Sequence, residues 1–136
     1  MENVSKHITY LEATQSPTAT KLGINNSPDK VQLEAMKLVA AKCFEPLREW
    51  YGKPIKVNSF FRSDLLNRAV KGSLTSQHKK GEAIDLDAGS KEENKKLFEW
   101  IKDNLVFDQL LNEYNYSWVH VSYSKTKNRK QILVIK

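Results

Sequence analysis

The sequence predicts an α+β fold in a single domain, a small antiparallel sheet with helices packed on one side. Three observations lead there. Helical periodicity fills residues 28 to 51, short strand-like runs and helices mix in the middle, and three alternating runs joined by tight turns close the chain. Helices first and a strand meander last argue against a doubly wound sheet, which needs the two to alternate. At 136 residues, 40% hydrophobic and 28% charged, the chain has the length and composition of one soluble globular domain that keeps a core without staples. It shows no internal repeat and no low-complexity segment.

Residues 1 to 26, rich in Thr, Ser, Asn, Pro and Gly, read as an irregular arm that wraps the core, with at most a helical turn around Tyr10 to Ala13. Ser27 and Pro28 suit an N-cap and first turn, and Val31, Met36, Val39, Cys43 and Leu47 follow at helical spacing. Pro46 should kink or break this helix, and Gly52 should end it. Ile55 to Asn58 alternates as a strand, and Ser63 caps a modest helix through Leu65, Leu66, Ala69 and Val70. Ala83 to Asp87 alternates again, placing Ile84 and Leu86 on one face and Ala83, Asp85 and Asp87 on the other. Ser90 with Glu93 forms a capping box for a helix carrying Leu97, Trp100 and Ile101 to about Asn104. Residues 107 to 114, 118 to 123 and 131 to 135 then read as antiparallel strands turning at Asn115-Tyr116 and Lys127-Asn128.

No apolar run approaches the ~20 residues of a membrane helix, and the N-terminus lacks the basic and apolar regions of a secretory signal. Cys43 is the only cysteine, so no internal disulfide forms, and its helical position reads as core. The +6 charge favours an anionic partner. Lys125, Lys127, Arg129 and Lys130 are its densest cluster, yet they fall between strands and read as a solvated hairpin turn; no nucleic-acid-binding signature accompanies them.

A carboxylate in mid-strand, Asp85, is costly to bury unless paired or bound to a cation. His78, in the loop before that strand, and His120, on the strand Trp118 to Tyr123, supply two nitrogens to go with it. Three protein ligands and an open position are the pattern of catalytic zinc; structural zinc is closed by four, usually with cysteine, and Cys43 alone cannot provide that. Alternation puts Trp118, His120 and Ser122 on one face, and a two-residue turn at Asn115-Tyr116 pairs Glu113 with Trp118 on that face, from where Glu113 could act on a water held at the metal. A register slip of one residue would turn Glu113 away.

Ser76-x-His78-x-x-Gly81-x-Ala83-x-Asp85 with Trp118-x-His120 resembles the zinc D-alanyl-D-alanine carboxypeptidase family, which includes phage L-alanyl-D-glutamate endolysins and shares its core with Hedgehog-type domains. Ser5 to Thr9, Thr18 to Thr20, Glu45 to Arg48, Asn58 to Ser63 and Phe107 to Leu110 are also similar to its short phage and bacterial members. The resemblance implies that His78, Asp85 and His120 bind one catalytic zinc, that an acidic residue near the last histidine is the general base, that Arg62 stabilises the oxyanion and contacts substrate, and that Ser76 contacts substrate. The base of better-known members stands three residues before the final histidine, where this chain has Ser117. Either Glu113 takes that role or the site is weakened or inactive; Glu113 is the expected base, with Trp118 shaping the cleft wall against the substrate.

The function so implied is zinc-dependent hydrolysis of a peptide bond in peptidoglycan stem peptides, as an endopeptidase or carboxypeptidase. The alternative is a non-catalytic, zinc-stabilised wall-binding module. The expected partner is the peptidoglycan peptide, with no nucleic acid and no membrane span, and the chain is expected to act as a monomer. Without a signal peptide it is expected to be made in the cytoplasm and to reach the wall by phage release or another export route.

Overall fold

The described part of the chain, residues 3–136 of a computed structural model, folds into six α-helices and a five-stranded mixed sheet. The α+β expectation is met. In chain order come α1 (Tyr10–Thr14), α2 (Pro17–Leu22), α3 (Lys30–Val39), a π-helical turn (Ala40–Phe44), α4 (Glu45–Tyr51), β1 (Lys56–Ser59), α5 (Asp64–Ala69), a 3₁₀ turn (Gln77–Lys80), β2 (Ala83–Asp87), α6 (Lys91–Asn104), β3 (Gln109–Glu113), β4 (Trp118–Ser122) and β5 (Gln131–Ile135).

The strand order is β1-β2-β4-β3-β5. The β3–β4 hairpin forms in the expected register, Glu113 opposite Trp118. The last strand departs from the expected antiparallel meander: β5 pairs parallel with β3, Gln109 opposite Gln131 through Glu113 opposite Ile135. The reason is that β4 has no free edge, since β2 covers one side from Ala83 to Leu86 and β3 the other. The segment after β4 therefore crosses the start of β3, where Lys130 and Gln131 donate to the carbonyls of Phe107 and Asp108.

Helix boundaries follow local chemistry. α3 is capped by Asp29 rather than Ser27: its carboxylate accepts Gln32 N–H at 2.7 Å and Gln32 Oε1 accepts Asp29 N–H at 2.8 Å, a reciprocal box that leaves Pro28 outside the helix. The expected kink at Pro46 appears as the π turn just before it, because proline lacks the N–H and crowds the carbonyl four residues back, so the helix widens there. Gly52 ends α4 in the left-handed conformation at φ 73. Of the apolar stripe, Met36, Val39, Cys43 and Leu47 are fully buried, whereas Val31, in the first turn of α3, is exposed. Ser90 caps α6 as expected, but Glu93 does not close the box, its carboxylate instead accepting Tyr51 Oη at 2.6 Å.

The arm holds more helix than its composition suggests. Ser16, Pro17 and Gly23 cap, start and stop α2, the same punctuation that marks longer helices. Val4, Ile8 and Ala13 enter the core, and Ala13 carbonyl accepts Phe61 N–H at 3.1 Å, next to the start of the Arg62 segment.

One sheet face carries Ile84, Leu86, Leu110, Val119 and Val121, which pack with Met36, Phe44, Leu47, Leu97, Ile101 and Phe107 from the helices and loops. Each such burial stabilises the fold by about 1.5–3 kcal/mol. Alternation leaves Asp85, Glu113, Trp118 and His120 on the opposite face, where Arg62, the loop from Gly72 to Ser76 and the 3₁₀ turn flank a cleft of about 720 Å³.

Candidate metal centre

Pairing of β2 with β4 sets Asp85 directly opposite His120, and a bulge between Val57 and Ser59 brings Ser59 beside Asp85 from the other edge. His78 comes from the 3₁₀ turn. Ser76 Oγ accepts His78 N–H at 3.2 Å at the start of that turn, and Gly81 ends it at φ 74. Gly81 also lies against α3: a Cβ there would stand 2.5 Å from Gln32 O, so this glycine serves both its backbone angle and a close approach.

The three side chains converge. His78 Nε2 is 3.2 Å from Asp85 Oδ2, His120 Nδ1 is 2.9 Å from Asp85 Oδ1, and the candidate ligand atoms lie within 4.8 Å of one another. The carbonyl of Phe60 accepts a hydrogen bond from His78 Nδ1 at 2.7 Å, which puts the proton on Nδ1 and leaves the Nε2 lone pair to face a metal. Burial would push the Asp85 carboxyl up, but His78 and then His120 outweigh it and hold it well below the usual carboxylate range. Two imidazole nitrogens and one ionised carboxylate, fixed by their neighbours and open to a cleft, are a donor set suited to zinc.

Arg62 is anchored on three sides, its Nε donating to Ser59 Oγ at 3.1 Å, one Nη to Asn67 Oδ1 at 3.4 Å and the other standing 3.7 Å from Asp85 Oδ2. Glu113 lines the same cleft; Trp118 Nε1 donates to its Oε2, leaving Oε1 without a protein partner among the described residues. Burial, then the Asp85 charge, push the Glu113 carboxyl above its usual range against smaller opposing effects of His120, Trp118 and His78. Ser117 lies in the exposed hairpin turn, its Oγ donating to Tyr114 carbonyl at 2.6 Å, outside the cleft lining. Ser76 and Trp118 both line the cleft, and Ser76 also orients its own backbone as described.

Sequence reasoning missed the supports. Asn67, 2% exposed, holds Arg62 and donates to Ser73 carbonyl at 2.8 Å. Asn94, 1% exposed, reaches from α6 to Asp87 Oδ1 and to the carbonyls of Tyr116 and Ser117, clamping the turn that sets the Glu113 register. The basic cluster was also misplaced by the hairpin expectation: the crossover brings Lys127 and Arg129 to the cleft, and Arg129 grips Asp108 with Nε and an Nη at 2.8 and 2.9 Å. Phe107-Asp108-Gln109 was the available signal, a carboxylate at the head of a strand. His7, the third histidine, lies elsewhere, its Nδ1 2.6 Å from Glu45 Oε1.

Two comparisons complete the description. The family model described as Peptidase M15 matches residues 6–122, most of the chain and all of the residues that converge here. No curated protein matches it.

Proposed function

We propose, from the premise that this chain belongs to the Peptidase M15 family, that it is a single-domain zinc peptidase cutting a peptide bond in peptidoglycan stem peptides. The observation that carries this reading is the convergence of His78 Nε2, His120 Nδ1 and Asp85 within 4.8 Å at the floor of a cleft that Glu113 and Arg62 also line. These three would hold the ion. Zinc bound there supplies Lewis acidity and acidifies water.

The protein's own groups account for the rest. Glu113 Oε1 is the free carboxylate oxygen; it takes a proton from the attacking water and returns it to the departing amine, while the Trp118 contact to Oε2 keeps the carboxylate aimed. Arg62, fixed by Ser59 and Asn67, offers an N–H to the scissile carbonyl oxygen as charge develops. Trp118 walls one side of the substrate. The +6 charge suits an enzyme working among anionic wall polymers, and among the described residues no helix is long and apolar enough to cross a membrane.

The test is digestion of purified peptidoglycan by the zinc-loaded protein and by Glu113→Gln. Newly released amino groups with the unchanged protein, reduced at least ~10²-fold in the variant, are expected, and the new terminus identifies the bond. Identical muropeptide profiles and no released amines with either protein would leave the non-catalytic wall-binding module as the better reading.

A further inference from the structure

The cleft is longer than the metal centre. Along β4, Trp118 and Ser122 lie two residues to either side of His120, roughly 7 Å each way. On the Trp118 side the wall is aromatic, with the Tyr114 ring tilted against Trp118 at 5.2 Å between ring centres. On the Ser122 side it is cationic. Ser122 carbonyl accepts Asp108 N–H at 2.8 Å, and Asp108 grips the Arg129 guanidinium through two bonds, so Arg129 is held against the cleft with its remaining N–H groups unspent. Lys127 lines the same cleft from a loop braced by Asn128, whose Oδ1 accepts Ser124 N–H at 2.9 Å and whose Nδ2 donates to Ser124 carbonyl at 2.8 Å. Among the described residues Lys127 and Lys80 form no ion pair, and with Asp108 matched by Arg129 they outnumber Glu82, the other carboxylate at this end.

We propose that Arg129 and Lys127 form an anion subsite that selects a substrate carrying a carboxylate two to three peptide residues from the bond placed at His120. The spacing follows from geometry: the Asp108–Arg129 pair stands roughly 7–10 Å from His120 along the strands, and an extended peptide advances ~3.5 Å per residue. The inference rests on the peptidase reading for its substrate class and adds which side chains choose among stem peptides.

The experiment compares two probes, L-alanyl-γ-D-glutamyl-L-lysyl-D-alanine and the same peptide with both α-carboxylates as amides, titrated calorimetrically into the zinc-loaded protein in a Glu113→Gln background. The carboxylate form should bind about tenfold tighter, and the preference should shrink with added salt. Lys127→Glu, at an exposed side chain, should bring the ratio to about one, and Arg129→Lys, which keeps Asp108 paired but removes the planar fork, should lower it severalfold. Equal affinities in the starting protein, or full preference retained in either variant, overturn the subsite. Equal affinities with both probes cleaved by the unchanged protein would leave the peptidase standing, whereas a preference without cleavage would keep the subsite and remove the peptidase.

Discussion

Replacing Gly81 with alanine should destabilise the fold by about 3 kcal/mol, and the structure separates that cost into two parts. A non-glycine residue held in the left-handed conformation that Gly81 adopts, φ 74, costs about 1 kcal/mol. The added Cβ would also stand 2.5 Å from the backbone carbonyl oxygen of Gln32 and 2.8 Å from Met36 Cγ. Met36 could shift, but the carbonyl belongs to α3 and cannot yield without moving that helix, an overpacking cost of about 1–3 kcal/mol. Gly23 and Gly52 are the controls: φ is 67 and 73, and a Cβ at either meets nothing within 4 Å, so alanine there should cost only the backbone part, about 1 kcal/mol. Thermal and urea unfolding of the metal-free proteins would read this as a loss of roughly 10 °C for Gly81→Ala against about 3–4 °C for each control. Displacing the 3₁₀ turn also moves His78, so metal affinity should fall at least about tenfold in Gly81→Ala alone. A Gly81→Ala protein no less stable than the controls would refute the claim that this glycine is required by contact with α3.

Asn94→Ala should lower stability by about 2–3 kcal/mol in urea unfolding, because it strands Ala88 N–H and the carbonyls of the β3–β4 turn, and hydrogen exchange at Tyr116 and Ser117 should quicken with it. The Arg129 pairing holds the Asp108 carboxyl down at about 2, so its contribution is full above about pH 4 and is lost as the pH falls toward 2. After solvent screening this is worth at most about 1 kcal/mol, and Asp108→Asn should flatten that part of the stability–pH curve. Burial pushes the Cys43 thiol up to about 12, so a thiol reagent at pH 8 should label the chain only at its unfolding rate; rapid labelling of folded protein would contradict the buried placement.

That Asp85, His120 and Glu113 share one sheet face was legible because each falls on a strand whose alternation fixes its direction, whereas His78 and Arg62 come from non-repetitive segments that periodicity does not orient. Asp85 and His120 fall on alternating strands, and the short turn at Asn115-Tyr116 fixes the register that turns Glu113 toward them. What was not legible depended on contacts between segments distant in sequence. Nothing in Gln131 to Ile135 says that both edges of β4 are already taken, so the nearest-neighbour hairpin was the natural expectation and the parallel pairing with β3 was not. The same crossover carries Lys127 and Arg129 from a solvated turn into the cleft. Asn67 and Asn94 gave no signal beyond their identity, because a buried amide is defined by carbonyls that other elements bring to it. Which histidine nitrogen faces Asp85 is likewise decided by Phe60, whose carbonyl reaches His78 across 18 residues.

The most direct test is the zinc content of the purified chain after dialysis, measured beside His78→Ala. One zinc per chain in the unchanged protein and none in the variant is the expected result, since removing His78 leaves only Asp85 and His120 to hold the ion. A chain that retains no zinc, or a His78→Ala protein that retains it undiminished, would contradict the assignment of this centre.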